Sequence, residues 1–264
     1  MGPQALSSGA MNTAHKSEGP GVPFGFRDVA PAEKPGLVQG VFGSVARRYD
    51  LMNDLMSGGV HRLWKRAMID TLKPRQGWTL VDLAGGTGDI AFAFLERVAG
   101  EGRAIVCDLT PGMIAVGRDR ALDRAILSGI DWVAGAAEKI PLAARTADAV
   151  TIAFGLRNVT DMDAALKEAH RVLKVGGRFL CLEFSRCTLP GIDRLYEFYS
   201  FHVLPQIGRT VTGDEDAYRY LVESIRRFPP QEELAKRFTA AGFARVDWRN
   251  LSGGIAALHW GWRV

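Results

Sequence analysis

Strand-like runs alternate with helical patterns between residues 79 and 184, and this alternation constrains the fold more than any other feature of the chain. The helical patterns lie at 89–98, from Pro111 onward and at 164–173. The apolar β runs lie at 79–83, 104–108, 130–134, 149–154 and 178–184. Such alternation predicts parallel strands joined by right-handed crossovers. We therefore expect an α/β fold built on one parallel sheet.

The ends of the chain complete this prediction. Two last β runs, Ala244–Leu251 and Ile255–Arg263, are joined by Ser252–Gly254, which indicates a hairpin and an antiparallel strand near the sheet edge. Helical patterns at 38–73 and 189–241 predict a helical cap contributed by two separate stretches. Residues 1–23 show no periodicity and are expected to be a disordered tail, which leaves one domain over 24–264.

Composition excludes several classes of function. The chain has 33 Lys and Arg against 29 Asp and Glu, and its scattered basic residues do not favour nucleic acid as a partner. Its three cysteines form no CxxC, and no histidines cluster at ligand spacing, so neither a metal site nor a disulfide scaffold is expected. No apolar run reaches the roughly 18 residues of a membrane-spanning helix. Residues 1–23 lack the apolar core of a secretory signal, so we expect a cytoplasmic protein.

A glycine-rich loop, Ala84–Gly88, joins the first strand to the first helix. Glycine allows a positive φ and lets a ligand approach the backbone N–H groups at a helix N-terminus, so Gly85, Gly86 and Gly88 are candidate binding residues. Asp108 ends the second strand about 20 residues later, where an acid can accept both hydroxyls of a ribose. The loop and Asp108 together indicate a nucleoside ligand.

Two classes of enzyme bind a nucleoside with such a loop. The pattern Gly86-x-Gly88-x-x-Ala91 fits the dinucleotide fingerprint of an NAD-dependent oxidoreductase. An S-adenosylmethionine (SAM) methyltransferase is favoured because Asp82 and Asp89 bracket the loop, and carboxylates suit an ammonium and a sulfonium better than a pyrophosphate. No second mononucleotide-binding half follows, and the chain ends in a hairpin. The oxidoreductase remains the alternative.

Two further segments are expected at the same edge of the sheet, because ligands of open α/β sheets bind outside the carboxyl ends of the strands. Ala136 and Ala137 follow the third strand and would let an adenine ring approach the backbone, although the segment also reads as a routine turn. Arg157 and Asn158 follow the fourth strand and are placed near the reacting centre. Alternatively, they are a surface arginine and a turn-forming asparagine.

Several motifs together resemble the UbiE family of ubiquinone and menaquinone biosynthesis C-methyltransferases. The resemblance covers about Gly25 to Val264 and is far more specific than any single motif. It is carried by Tyr49-Asp50-Leu51-Met52-Asn53-Asp54, Ser57, His61-Arg62-Leu63-Trp64, Asp82–Asp89, Phe154–Val159, Arg171-Val172-Leu173-Lys174, Ser200–Pro205, Tyr218-Arg219-Tyr220-Leu221, Phe228-Pro229 and His259.

This resemblance implies a Rossmann-like, seven-stranded class I methyltransferase sheet, mostly parallel with a C-terminal antiparallel hairpin, plus a helical cap. The implied reaction is SAM-dependent methylation of a ring carbon of 2-methoxy-6-polyprenyl-1,4-benzoquinol or of demethylmenaquinol. The family's SAM contacts fall on Thr87, Asp108, Ala136, Ala137 and Ala153. Ala136 and Ala153 stand where the family often has Asn and Ser, so their contacts here are limited to backbone or apolar ones.

For catalysis, the resemblance implies Arg157 acting with Asn158 and Tyr49. His61 and His202 are the other possible bases, and they rank lower because a lone His on a helix face is more often structural. Methyl transfer from SAM requires neither a metal nor a covalent intermediate.

A polyprenyl quinol resides in the bilayer, so we expect peripheral contact with the inner face of a bacterial membrane. The aromatic stripe within 189–207 is equally compatible with a prenyl channel and with ordinary core. A homodimer or a quinone-biosynthesis complex is a possible assembly.

Overall fold

The computed structural model describes residues 21–45, 53–54, 57–187 and 215–264. Its strands are β1 (Val22–Phe24), β2 (Arg27–Val29), β3 (Thr79–Leu83), β4 (Arg103–Asp108), β5 (Ile130–Ala134), β6 (Ala147–Ala153), β7 (Leu173–Phe184), β8 (Ala244–Leu251) and β9 (Ala256–Trp262). Its helices are α1 (Lys34–Val45), α2 (His61–Leu72), α3 (Asp89–Arg97), α4 (Pro111–Asp123), α5 (Met162–Val172), α6 (Glu215–Arg227) and α7 (Gln231–Ala240), with 3₁₀ turns at Leu156–Asn158 and Ser252–Gly254.

Seven of these strands form one sheet in the order β5-β4-β3-β6-β7-β9-β8. The pairs from β5 to β7 are parallel, and β9 pairs antiparallel with both β7 and β8. The predicted mostly parallel sheet with a C-terminal antiparallel hairpin is therefore confirmed. Strand order reverses between β3 and β6, and in open α/β sheets ligands bind outside the carboxyl ends of the strands at such a point.

Alternate residues along each strand supply two apolar cores, one on each face of the sheet. On β7, Leu180, Leu182 and Phe184 join the core that contains Trp64 and Met68 of α2. Phe179, the neighbour of Leu180, joins the other core. Both faces of the central strands are therefore buried, as parallel strands covered by helices require.

Strand β7 begins earlier than the sequence predicts. The expected start at Arg178 is wrong, because the pairing already begins at Leu173. Gly176, with φ +81, is expected to be part of a turn, but it lies inside the strand. Its N–H donates to the carbonyl of Arg263 at 2.7 Å, so a contact with the end of the chain keeps this segment extended.

A small antiparallel hairpin of β1 and β2 precedes α1, and its first strand begins at Val22, inside the range expected to be a tail. The Phe24 ring stacks on Tyr220 of α6 at 4.4 Å between centroids, and the Phe26 N–H donates to the Glu223 carboxylate at 3.0 Å. These contacts bring the hairpin to the helical part of the fold. Residues 1–20 of the expected tail lie outside the described residues, as do 46–52, 55–56 and 189–214 of the expected cap.

No helix in the described ranges is long and apolar enough to span a bilayer.

Candidate functional site

A cavity of about 480 Å³ lies at the carboxyl ends of β3, β4, β5 and β6. Its walls include Ala84 after β3, Asp108–Thr110 after β4, Gly135–Glu138 after β5 and Phe154-Gly155 after β6. Val38 and Phe42 of α1 also line it. The cavity thus lies where the strand order reverses, with a largely apolar helix against one side.

The glycine loop has the backbone geometry that its sequence predicts. Gly86 and Gly88 have φ values of +54 and +84, in the left-handed region that glycine adopts without strain. A Cβ on Gly85 would lie 2.7 Å from Oδ2 of Asp82 and 2.8 Å from the Val106 side chain. Gly85 therefore keeps the space beside the Asp82 carboxylate open.

Asp108 joins the glycine loop to the end of β4. Its Oδ2 accepts from the Gly86 N–H and its Oδ1 from the Thr110 N–H, both at 2.8 Å. Burial raises the pKa of Asp108, and the backbone donors of Thr110 and Gly86 oppose that shift. Each carboxylate oxygen has a second lone pair, so the side chain on the cavity wall can also accept ribose hydroxyls.

Asp82 is a buried carboxylate with one oxygen left unpaired. The side chain is 1% exposed, and its Oδ1 accepts from the Thr151 hydroxyl at 2.7 Å. Oδ2 has no hydrogen-bond partner among the residues that the structure describes. Burial raises the pKa of Asp82 to about 7. Buried polar atoms are normally paired, so this oxygen marks a position for a ligand donor.

Thr87 and Asp89 face a pair of cations. The Thr87 hydroxyl accepts from Arg120 Nη1 at 2.6 Å, which directs it toward α4. Asp89 accepts from Lys65 Nζ at 2.6 Å and from Arg120 Nη2 at 2.7 Å. Burial alone would raise the pKa of Asp89, but the charges of Lys65 and Arg120 outweigh it and lower the pKa to about 2. Asp89 is therefore already paired inside the protein, unlike Asp82.

The small residues expected near the ligand lie in two places. Ala136 and Ala137 line the 480 Å³ cavity. Ala153 lines a narrow cleft that it shares with Asp82, the glycine loop and Lys65. The cavity and the cleft meet at Ala84, which lines both.

Arg157 is deeply buried, so the reading of it as a surface arginine is wrong. Its side chain is 1% exposed, and Nη1 donates to Glu183 Oε1 at 2.5 Å and to the Phe154 carbonyl at 2.6 Å. Glu183 of β7 also accepts from the Arg157 backbone N–H at 3.1 Å. Burial raises the pKa of Glu183, and the Arg157 charge opposes it. The pair holds the turn after β6 in place.

The structure separates the two residues predicted side by side. Asn158 lines the 480 Å³ cavity, and its Oδ1 accepts from the Tyr220 hydroxyl at 3.0 Å. Arg157 lines a neighbouring cavity of about 610 Å³, together with Tyr220 and Lys34. Nε and Nη2 of Arg157 have no partner among the described residues. The guanidinium is therefore hydrogen-bonded through Nη1, while Nε and Nη2 form an edge that can still donate.

The remaining candidates divide between residues that are described and residues that are not. Tyr49 and His202 lie outside the described residues, as does the aromatic stripe at 189–207. His61 is 1% exposed, its Nδ1 lies 3.0 Å from the Ser57 hydroxyl, and burial lowers its pKa to about 4. A neutral, buried imidazole paired in this way fits the structural role. The described ranges contain no group of three potential metal ligands.

Comparison with known proteins shows which chains are similar to this one in sequence. The model of the ubiE/COQ5 methyltransferase family matches residues 29–263. A UbiE protein of Bradyrhizobium, named ubiquinone/menaquinone biosynthesis C-methyltransferase, is 56% identical over 244 residues, covering 91% of this chain and 96% of that protein. A UbiE protein of Brucella abortus with the same name is 51% identical and covers 97% of this chain and 96% of its own length.

Solved structures share the fold at low sequence identity. A SAM-dependent methyltransferase of Thermotoga maritima, described as a possible histamine N-methyltransferase, aligns with a TM-score of 0.61 at 20% identity, over 86% of this chain and all of that one. The [4+2]-cyclase SpnF aligns with a TM-score of 0.65 at 16% identity, over 87% of this chain and 96% of its own. Since a cyclase has this fold too, the fold alone does not define the reaction.

Proposed function

The chain belongs to the ubiE/COQ5 methyltransferase family, and from this premise we propose that it methylates a ring carbon of a polyprenyl quinol. The acceptor would be 2-methoxy-6-polyprenyl-1,4-benzoquinol, demethylmenaquinol or both. The observation that carries the proposal is the glycine loop with an unpaired, buried Asp82 on one side and Asp108 on the other. No comparison supports the NAD-dependent oxidoreductase.

The residues present fit SAM in two parts. The 480 Å³ cavity suits the adenosine, with Asp108 at the ribose and Ala136 and Ala137 against the adenine. The cleft at Asp82 suits the amino-acid end, since the unpaired Oδ2 can accept from an ammonium. When bound, SAM supplies a methyl group that its sulfonium has already activated. The roles of Thr87 and Ala153 are to shape the cleft that holds this end.

The protein must make a ring carbon nucleophilic, which follows when the neighbouring ring oxygen loses its proton. A phenol has a pKa of about 10, so a donor that stabilises the oxyanion accelerates the step near neutral pH. We assign this donor to the unpaired Nε and Nη2 edge of Arg157. Glu183 and the Phe154 carbonyl fix the opposite edge, so the guanidinium needs little reorganisation.

Asn158, on the wall of the 480 Å³ cavity, acts as a hydrogen-bonding partner of the acceptor ring, and Tyr49 is proposed as another. Tyr220 donates to the Asn158 carbonyl oxygen, which fixes the orientation of the amide. Val38 and Phe42 of α1 keep water from one side of the cavity. Because a polyprenyl acceptor partitions into the bilayer, the proposal includes peripheral membrane contact.

The test is methyl transfer by the purified protein, with methyl-labelled SAM and each reduced acceptor supplied in detergent. We expect product labelled on the ring carbon for at least one of the two quinols. Labelling on oxygen, or no transfer to either quinol by a protein that binds S-adenosylhomocysteine (SAH), would overturn the assignment. Tight binding of NADH would instead support the alternative hypothesis, an NAD-dependent oxidoreductase.

A further inference from the structure

The narrow cleft beside Asp82 has a charge arrangement that the sequence motifs do not reveal. Lys65 of α2 lines it together with Asp82, Gly85 and Gly86. Lys65 comes from a helix that precedes the sheet in sequence, whereas the other lining residues belong to the glycine loop, α3 and the strand ends. Its side chain is only 12% exposed. A cation from α2 therefore lines the same cleft as the carboxylate with the unpaired oxygen.

The two charges match the two ends of an α-amino acid group. Such a group carries a carboxylate and an ammonium on one carbon, and a cation and an anion that line one cleft can bind both. Asp82 Oδ2 is buried and unpaired, and a Cβ on Gly85 would lie only 2.7 Å from it. Burying a charge is costly without a partner, so an occupied cleft satisfies Asp82 better than an empty one.

We propose that Lys65 binds the α-carboxylate of the methionyl end of SAM while Asp82 binds its ammonium, so that the protein selects ligands with an intact amino-acid group. The inference rests on the proposed function, in which SAM is the methyl donor. Lys65 is thereby a cofactor-binding residue contributed by α2.

Binding requires an exchange of partners. With Lys65 bonded to Asp89 at 2.6 Å, the cleft encloses about 20 Å³, which is too little for an amino-acid group. Lysine carries its ammonium on a flexible four-carbon stem, so Lys65 can leave Asp89 for the ligand carboxylate. Asp89 then keeps its bond from Arg120 at 2.7 Å. The exchange therefore leaves no carboxylate without a cation.

Calorimetric titration of the full-length protein with three ligands tests this inference. SAH carries the whole amino-acid group, its decarboxylated analogue lacks only the carboxylate, and methylthioadenosine lacks the group entirely. A charge-assisted bond of about 1.5–3 kcal/mol predicts that Lys65→Met weakens SAH binding by about 10- to 100-fold. Binding of the decarboxylated analogue and of methylthioadenosine should change less than about threefold, because neither ligand reaches Lys65 with a carboxylate.

The wild-type protein gives an independent measurement. It should bind SAH more tightly than the decarboxylated analogue by about the same factor, and Lys65→Met should abolish that preference. Lys65→Arg should retain part of it, and Arg66→Met, which changes an exposed neighbour on α2, should retain all of it. Equal losses of affinity for all three ligands, together with a lower Tm, would show that Lys65 acts only structurally, through its ion pair with Asp89. Failure of the wild type to bind SAH would instead refute the proposed function itself.

Discussion

Asp82 shows how a single side chain can favour binding at a cost to folding. Its native pKa is about 7 against 3.8 for an unperturbed carboxyl, so the folded chain holds a proton that the unfolded chain releases between about pH 4 and 7. The native state therefore loses stability relative to the unfolded chain as pH rises through this window, and the deficit is complete above pH 7. Burial is the main cause, opposed by the Thr151 hydrogen bond and the Lys65 charge, and reinforced by Asp108 and Asp89.

Asp82→Asn should consequently stabilise the protein while it weakens SAM binding. The amide keeps an acceptor for the Thr151 hydroxyl and carries no charge to bury. We expect the free energy of unfolding to rise by about 1–3 kcal/mol at pH 8, and by almost nothing near pH 4, with SAH affinity reduced at least tenfold. Denaturant titrations at both pH values measure the difference. A variant less stable than the wild type at pH 8 would show that Asp82 is not an unpaired charge.

Asp108 combines a ligand contact with a structural one, and two substitutions separate them. Asp108→Ala removes the acceptors of the Gly86 and Thr110 N–H groups as well as those of the ribose, so both Tm and SAH affinity should fall. The affinity loss should be about 10- to 1000-fold, from bonds of about 1.5–3 kcal/mol each. Asp108→Asn keeps one oxygen acceptor, so its Tm and its SAH affinity should lie between those of the wild type and those of Asp108→Ala.

Calorimetry and thermal denaturation of the same Asp108 samples give both quantities. Asp131→Asn on the neighbouring strand β5 is the matched control, since that half-exposed carboxylate pairs with Arg103 instead of the loop. Unchanged SAH affinity in Asp108→Ala would remove Asp108 from the binding site.

At the scale of elements, the turn between β6 and α5 depends on a strand that is distant in sequence. Glu183 of β7 accepts from both the backbone and the side chain of Arg157. Arg157→Ala leaves this carboxylate buried without its cation, at a cost of about 3–5 kcal/mol. Tm and turnover should fall together in that variant, which by itself does not distinguish bracing from catalysis.

The double substitution Arg157→Met with Glu183→Gln makes the distinction. It removes both buried charges, and the glutamine keeps an oxygen that can accept from the Arg157 backbone N–H, so Tm should return close to that of the wild type. If the free edge of Arg157 stabilises the acceptor oxyanion, turnover should stay about 100- to 1000-fold low while SAH affinity recovers. Recovery of turnover along with Tm would assign Arg157 to bracing alone.

Elements with strong local patterns could be predicted from the sequence, and those stabilised by distant contacts could not. Strand β8 has the predicted bounds Ala244–Leu251 because its turn residues mark them. Strand β1 has three residues, too few for a periodicity, and it packs through Phe24 against Tyr220 of α6. The early start of β7 could not be predicted, because Gly176-Gly177 resembles a turn in the sequence. Its extended conformation depends on hydrogen bonds to Arg263, near the end of the chain.

The same distinction applies to the candidate site. Asp82 and Asp108 lie at the carboxyl ends of parallel strands and Asn158 follows another, so topology brings them to one edge of the sheet. Their positions near the cavity or cleft follow from the sequence. Glu183 lies within an apolar run, and Lys65 lies on a helix whose packing the sequence does not specify. Their roles arise from contacts with residues 26 and 24 positions away, which no local pattern encodes.

In the whole molecule, the cavity is closed by a helix that precedes the sheet in sequence. Lys34 of α1 donates to the Val159 carbonyl at 2.7 Å, and Gln39 donates to the Leu109 carbonyl at 2.8 Å. These two bonds connect α1 to the loops after β6 and β4, on both sides of the point where strand order reverses. A ligand in this cavity therefore contacts the sheet edge and the helix that covers it.

Because the ligand touches both parts, its binding should stabilise the entire fold. SAH at about 100 times its Kd adds about 2.7 kcal/mol by mass action. At roughly 2–4 °C per kcal/mol for a chain of this size, Tm should rise by about 5–10 °C. Thermal denaturation with and without SAH measures the shift.

Gln39→Ala, which removes one bond between α1 and the loop after β4, should weaken SAH binding and so reduce the shift at the same ligand concentration. NADH at an equal concentration should leave Tm unchanged, because we propose that the cleft next to the nucleoside cavity accepts an amino-acid group and not a second nucleotide. A rise with NADH as large as that with SAH would contradict this account of the cavity.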